Sequence, residues 1–117
     1  MQTVLHENIR PWGRYDILYE GAGFKVKRIS VEPGKRLSYQ SHARRSERWI
    51  VVAGVARVTL DGAVTDVAAG QAVHVPVGVK QRDENPGAEP LVFIEVQLGD
   101  YFGEDDIVRY EDDYGRA

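Results

Sequence analysis

Cysteine and long apolar runs are missing from this sequence. With no Cys among 117 residues, disulfides, thiolate nucleophiles and thiolate metal ligands are excluded together. No apolar stretch approaches the roughly 18 residues that cross a bilayer, and the start MQTVLHENIRPWG contains no apolar segment typical of a signal peptide. We therefore expect a cytoplasmic protein with no membrane partner.

Positive charge is not in excess either. The chain has 15 Lys and Arg against 18 Asp and Glu, which gives a formal net charge of −3. A chain of this charge offers no general attraction for a nucleic-acid backbone, so DNA and RNA are not expected partners. Its length suits a single domain, residues 1–117, that buries one core.

Helical periodicity is nearly absent, whereas apolar residues alternate at period two through the middle of the chain. Turn signals, among them Asp61-Gly62 and Pro33-Gly34, interrupt this alternation at short intervals. The pattern predicts an all-β, antiparallel sandwich or barrel that follows a polar leader, residues 1–9. The predicted strands are residues 14–20, 23–32, 36–42, 47–54, 56–62, 63–69, 72–77, 79–85 and 90–99, with a further short strand at 107–110.

Several of these strands carry two polar or amphipathic residues two positions apart, which therefore share one face of the strand. If closure of a barrel turns these faces inward, the interior suits a small polar or phosphorylated ligand. The same side chains equally suit the solvent face of half-buried strands, and periodicity alone leaves both interpretations open. The pairs are Lys25 with Lys27, Gln40 with His42, Glu47 with Trp49, and Glu95 with Gln97.

Two blocks of sequence have a fixed spacing of glycines and polar residues. Block 34–54 reads Gly, five residues, Gln40, one residue, His42, four residues, Glu47, six residues, Gly. Block 70–85 reads Gly, five residues, Pro, one residue, Gly, two residues, Gln81, three residues, Asn. Both blocks resemble the paired cupin motifs, with Gln40 and Gln81 standing where the motifs have His. The resemblance implies a cupin double-stranded β-helix, which is a jelly-roll barrel.

Longer segments narrow this resemblance to one cupin family, the type II mannose-6-phosphate isomerase cupin. That domain is often fused behind a mannose-1-phosphate guanylyltransferase; here we expect it to stand alone, without transferase activity. The resemblance implies interconversion of mannose 6-phosphate and fructose 6-phosphate with a divalent metal. The segments are RPWG (10–13), FKVKRISVEPGKRLSYQSH (24–42), ERWIVVAG (47–54), VPVGVKQRDENPG (75–87) and IEVQLGDYFGEDDIVRYEDDYGR (94–116).

The resemblance also implies a set of metal ligands. In this set the ligands of a zinc or manganese ion would be one imidazole, one carboxylate and two carboxamides, which bind zinc more weakly than the ligands it prefers. Arg44 and Arg48 stand where the family usually has His, and a guanidinium cannot ligate a metal. We therefore expect the divalent metal to be weakly bound or absent. The implied ligands are Gln40, His42, Glu47 and Gln81.

Isomerisation of an aldose to a ketose requires a base that moves a proton between adjacent carbons. Glu47, Glu95 and His42 are the candidates for this base. Lys25 and Lys27 are the candidates that would stabilise an enediolate or bind phosphate. The residues expected to bind the substrate are Lys27, Arg44, Gln97 and Arg109.

Two functions remain open on this basis. The first is a sugar-phosphate isomerase, and the second is a non-catalytic cupin that binds a sugar, a sugar phosphate or a small anion. An oxygenase is excluded because three His in the whole chain are too few, and the spacing offers no His and Asp pair for an epimerase. A homodimer is expected, since a jelly roll has sheet edges that pairing would cover.

Overall fold

Two antiparallel β-sheets make up the fold. The computed structural model describes residues 6–115, which contain a 3₁₀ turn at Glu104–Asp106 and no α-helix. Among these residues there is accordingly no helix able to cross a membrane. The strands are β1 (His6–Arg10), β2 (Gly13–Gly21), β3 (Phe24–Val31), β4 (Tyr39–His42), β5 (Arg45–Ala53), β6 (Val55–Leu60), β7 (Ala63–Ala68), β8 (Ala72–Val75), β9 (Gln81–Glu84), β10 (Leu91–Gly99) and β11 (Ile107–Glu111).

The strand order confirms the all-β jelly roll that the motif spacing predicts. One sheet has six strands in the order β1-β2-β3-β10-β5-β8, and the other has five in the order β11-β4-β9-β6-β7. Strands distant in the sequence therefore become neighbours, as in a double-stranded β-helix. The predicted hairpin at Asp61-Gly62 is also confirmed, because both residues have positive φ (45° and 85°) and Leu60 pairs with Ala63 across the turn.

The polar leader is the place where the prediction and the structure differ. Residues His6–Arg10 form β1, which pairs with β2 from His6 opposite Ile17 to Arg10 opposite Gly13. This strand has no buried apolar face to reveal it, since Ile9 is 72% exposed, and backbone pairing holds it in place. The rest of the predicted leader, residues 1–5, lies outside the described part of the chain.

The interior of the barrel is apolar at one end and polar at the other. On β3, β10 and β5 the register places Ile29, Phe93 and Val51 side by side. All three side chains are at most 4% exposed, and they belong to the apolar core. Further members of this core are Trp12, Tyr15, Ile17, Val31, Trp49, Ala56, Val58, Val67, Val75 and Leu91.

The next two rows of the same three strands carry the polar residues. Glu95 lies opposite Lys27 on one side and Trp49 on the other, and Gln97 lies opposite Lys25 and Glu47. Every residue of these two rows is buried. The faces predicted from period two therefore do turn inward. On the other sheet the register aligns Arg109, Gln40 and Gln81.

A charged contact on the opposite face of the sheet ties β2 to β3. Asp16 alternates with the core residues Tyr15 and Ile17, so it points away from the core, yet it is only 1% exposed because Arg14 and Arg28 cover it. Arg14 Nη2 donates to Oδ1 at 2.6 Å and Arg28 Nε donates to Oδ2 at 2.9 Å. Burial disfavours the charged carboxylate, but these hydrogen bonds outweigh it and hold the pKa of Asp16 below its usual range.

We predict that Asp16→Asn lowers the free energy of unfolding at neutral pH by about 1–3 kcal/mol, because both charge-assisted hydrogen bonds are weakened. The folded-state pKa of Asp16 is depressed, so its contribution is present above the unfolded pKa of about 3.9 and is lost as the pH falls through the folded-state pKa. Urea unfolding at several pH values measures both effects. Asp66→Asn is the control, because it breaks an exposed pair with Arg57 and should leave the midpoint nearly unchanged. Equal midpoints for the two variants would contradict the prediction.

Candidate functional site

A cavity opens at the polar end of the barrel, between the two sheets. Polar residues of both sheets form part of its wall, and the apolar part is formed by Trp12, Tyr15, Ile29, Leu37 and Ile107. Four cationic side chains face one carboxyl group across this space, which therefore favours an anionic ligand. The charged residues lining it are Arg10, Lys27, Arg45, Arg109 and Glu95.

Arg45 joins this cavity to the buried residues behind it. Arg45 is the first residue of β5, shares a strand face with Glu47 and is 4% exposed. Its Nε donates to Glu47 Oε2 at 2.8 Å, and its Nη2 lies 3.1 Å from His42 Nε2. Trp49 Nε1 donates to the other oxygen of Glu47 at 2.9 Å. Both oxygens of the Glu47 carboxylate thus have protein donors.

His42 is held in a single orientation by its two ring nitrogens. Nδ1 lies 3.1 Å from the carbonyl oxygen of Asp106 and donates to it, so Nε2 is the nitrogen that accepts from Arg45. Burial lowers the pKa of His42 to about 4, and the neighbouring charge of Arg45 acts in the same direction. The imidazole is therefore neutral at physiological pH.

Glu95 is the carboxyl group on the cavity wall. Gln97 Nε2 donates to its Oε2 at 2.7 Å. Burial and, next to it, the nearby charge of Glu47 raise the pKa of Glu95 to about 7, although Lys27 and Arg45 act in the opposite direction. Asp83 is buried close by, and its pKa is raised well above the usual range by burial and by the charges of Glu95 and Glu47. The carboxyl groups of Glu47, Glu95 and Asp83 are thus buried close together.

Three of the predicted metal ligands, Gln40, His42 and Glu47, come together, but their donor atoms are already engaged. His42 Nε2 lies 3.5 Å from Glu47 Oε2 and 3.4 Å from Gln40 Nε2. Gln40 Oε1 accepts a hydrogen bond from Ser38 Oγ at 2.6 Å, and Arg45 contacts both His42 and Glu47. A divalent ion at the usual ~2.0–2.2 Å from these ligands would lie against a guanidinium that cannot lose its charge. The donor set does not fit such an ion.

The other predicted site residues are divided between the cavity and the surface. Lys27 and Arg109 line the cavity, and Gln97 lies behind Glu95. Lys25 instead borders a separate surface cleft, where its Nζ lies 3.6 Å from Glu20. Arg44 is half exposed, donates to Asp100 at 3.2 Å and lies over the ring of Tyr101. Gln81 is buried in β9 opposite Gln40.

Two cationic residues of the cavity were not predicted, Arg10 and Arg45. Arg10 ends the strand that lacks an apolar pattern, and its Nη2 donates to Tyr15 Oη at 3.0 Å. Lys27 Nζ lies 4.3 Å from the centre of the same tyrosine ring. Arg45 did carry a signal in the sequence, because it has the same parity as Glu47, whereas Arg44 and Arg48 have the opposite parity.

The two sheets form the double-stranded β-helix of the cupin fold. A solved structure from Klebsiella pneumoniae subsp. pneumoniae, described as an uncharacterized conserved protein with a double-stranded β-helix domain, has a TM-score of 0.72 with this chain. The two are 24% identical, and the match covers 82% of this chain and 77% of that one. At this identity the likeness shows the shared fold alone.

A family model described as mannose-6-phosphate isomerase C-terminal matches residues 1–112, and the chain belongs to this family. It is similar to a mannose-1-phosphate guanylyltransferase of Salmonella montevideo, 49% identical over 116 residues that cover 98% of this chain and 25% of the relative. It is also similar to the xanthan biosynthesis protein XanB of Xanthomonas campestris pv. campestris, 54% identical over 117 residues, with 99% and 25% covered. The chain spans about a quarter of the length of these curated relatives.

We predict that Glu47→Gln lowers the free energy of unfolding by about 3–5 kcal/mol, because it leaves the buried charge of Arg45 without its carboxylate. Urea unfolding measures the change. Glu84→Gln is a matched control, since Glu84 lies 3.8 Å and 3.9 Å from Arg36 and Arg57 in partly exposed pairs, and its loss should cost below about 1 kcal/mol. A Glu47 variant no less stable than the Glu84 variant would show that the buried pair does not stabilise the fold.

Proposed function

We propose that this cupin binds a phosphorylated hexose in the cavity and interconverts mannose 6-phosphate and fructose 6-phosphate. Membership of the mannose-6-phosphate isomerase C-terminal family supports the substrate class. The observation that carries the proposal is the carboxyl group of Glu95 on the wall of a cavity lined by four cationic side chains. A phosphate ester suits these cations, and a carboxylate suits the proton transfer.

In this reaction a base removes the proton from C2 of the aldose, which leaves the negative charge of an enediolate on oxygen. The same base returns the proton to C1, and the hydroxyl proton moves from the C2 oxygen to the C1 oxygen. The C2 oxygen thereby becomes the carbonyl of the ketose, and C1 becomes its CH2OH carbon. Glu95 is the group with access to the cavity, so we assign it this role. Lys27, directly opposite Glu95 in the neighbouring strand, and Arg45 stabilise the enediolate charge.

Glu47 and His42 are less suited to be the base. Both oxygens of Glu47 accept hydrogen bonds from Trp49 and Arg45, and His42 Nε2 accepts from Arg45. The phosphate group would be held by Arg10 and Arg109, the remaining cations of the cavity, which can form bidentate hydrogen bonds to its oxygens. No step in this scheme passes through a metal ion.

We predict that Glu95→Gln lowers kcat for mannose 6-phosphate isomerisation by about 100- to 10,000-fold, the usual range for loss of a general base. Binding of mannose 6-phosphate should persist, because the cations of the cavity remain. An assay coupled to fructose 6-phosphate consumption measures turnover, and calorimetry measures binding. A wild-type chain that binds mannose 6-phosphate without converting it would support the non-catalytic alternative. Full turnover in the Glu95 variant would show that Glu95 is not the base of the reaction.

We also predict that Arg10→Ala weakens binding of mannose 6-phosphate by about tenfold or more, the scale of one lost charge-assisted hydrogen bond. Binding of unphosphorylated mannose should change less, since Arg10 is assigned to the phosphate. Calorimetry with both ligands measures the difference. Arg57→Ala is the control, because Arg57 pairs with Asp66 on the surface, away from the cavity. Equal losses of affinity for the two sugars would show that Arg10 does not bind the phosphate group.

A further inference from the structure

The guanidinium of Arg45 lies between His42 and Glu47, two of the side chains whose spacing matches a metal-binding motif. Two of its nitrogens contact Glu47 and His42, at 2.8 Å and 3.1 Å. Its third nitrogen, Nη1, is buried and has no hydrogen-bond partner among the described residues. Arg45 also lines the cavity. A buried donor with no partner beside a ligand cavity is a group expected to bind a ligand oxygen.

The surroundings of Arg45 fix its position. Glu47 is held by Trp49 through its other oxygen, and His42 is held by the carbonyl of Asp106 through Nδ1. The nitrogen and the oxygen that would coordinate a metal therefore both point at the guanidinium. To bind an ion there, the protein would have to expel a buried arginine from its carboxylate, which is unfavourable.

The remaining donors do not compensate for this obstacle. Gln40 and Gln81 supply neutral carboxamides where imidazoles would bind more strongly, and Gln40 Oε1 already accepts from Ser38. Arg45, in contrast, provides a permanent positive charge with donors suited to planar oxygen groups. The site thus has a built-in cation at the place that its motif spacing assigns to an ion.

We propose that Arg45 takes the place of the divalent metal in this cupin and presents its charge to an anionic oxygen of the ligand. Two consequences can be measured separately. The first, that the native site does not bind a divalent metal until Arg45 is removed, stands without the function proposed above. The second, that turnover needs Arg45 and no metal, rests on that function.

The metal-binding experiment compares the wild-type chain with the double variant Arg45→Met/Gln81→His, which removes the cation and adds an imidazole. Co²⁺ is the probe, because its visible absorption reports coordination, and Zn²⁺ calorimetry gives the affinity. We expect no saturable site in the wild type and binding tighter by about 10- to 100-fold or more in the double variant. Arg44→Met/Gln81→His is the control, since Arg44 bonds Asp100 instead of His42, and it should show no gain.

Stoichiometric Co²⁺ or Zn²⁺ binding by the wild-type chain would overturn the proposal. So would equal affinities of the double variant and its Arg44 control. Circular dichroism verifies that each variant is folded, and Arg45→Gln/Gln81→His replaces the Met variant if that one is unfolded, because Gln can still bond Glu47. The same two outcomes then decide the question.

The turnover experiment measures mannose 6-phosphate isomerisation with a chelator present and after addition of Mn²⁺ or Zn²⁺. We expect the wild-type rate to be the same in both conditions, and Arg45→Met to lose activity by about 100-fold or more. Turnover that appears only with added metal would overturn the role of Arg45 while supporting the isomerase function. A wild-type chain inactive in both conditions would refute the isomerase function, and the metal-binding experiment would still decide the role of Arg45.

Discussion

The contact of Arg45 with Glu47 is the interaction on which the polar end of the barrel depends. Glu47, Glu95 and Asp83 are all buried there; the charge of Glu47 raises the pKa of both Glu95 and Asp83, and the charge of Glu95 raises the pKa of Asp83. Arg45 neutralises one of them directly and, together with Lys27, lowers the pKa of a second. Without this cation the interior would contain several carboxyl groups and too little positive charge, so a ligand cavity lined by polar groups requires it.

The same arrangement follows from strand register. Since the six-stranded sheet aligns β3, β10 and β5, a single step of two residues along each strand changes the inward row from apolar to polar. Ile29, Phe93 and Val51 form a row of the apolar end, and Lys27, Glu95 and Trp49 form the row next to it. Trp49 belongs to both regions, because its ring packs against Phe93 while its Nε1 bonds Glu47. One side chain therefore joins the core to the site.

Much of this could be predicted from the sequence, and the exceptions have physical reasons. Period two located the strands and the inward polar pairs, since burial of one face imposes that pattern. It could not reveal β1, because that strand is held by backbone pairing and exposes Ile9. Nor did it select Arg45, since the predicted strand began at residue 47 and the structure begins β5 at Arg45. Because β5 begins two residues earlier than predicted, Arg45 lies on the same strand face as Glu47 and Trp49.

Contacts between distant parts of the chain could not be predicted from any local sequence pattern. The carbonyl that orients His42 belongs to Asp106, which is 64 positions away, and the Asp106 carboxylate also accepts from the backbone of Ala43 and Arg44. The C-terminal strand β11 then places Arg109 beside Gln40. The C-terminal segment, residues 104–113, is rich in Asp and Glu and by its charge alone resembles a solvated surface cluster. Two of its residues nevertheless belong to the site, because Asp106 orients His42 and Arg109 lines the cavity.

Several positions of the cupin spacing in this chain have structural roles of their own. Asn85, the last residue of the second motif, donates to the carbonyls of Val31 and Glu89 and accepts from Gly87. Gly54, the last of the first motif, has a φ of +79°, and a Cβ there would lie 2.9 Å from the carbonyl oxygen of Pro90. Glu47 accepts hydrogen bonds from Trp49 and Arg45. Because these positions have structural partners of their own, the spacing identifies the fold more securely than the chemistry.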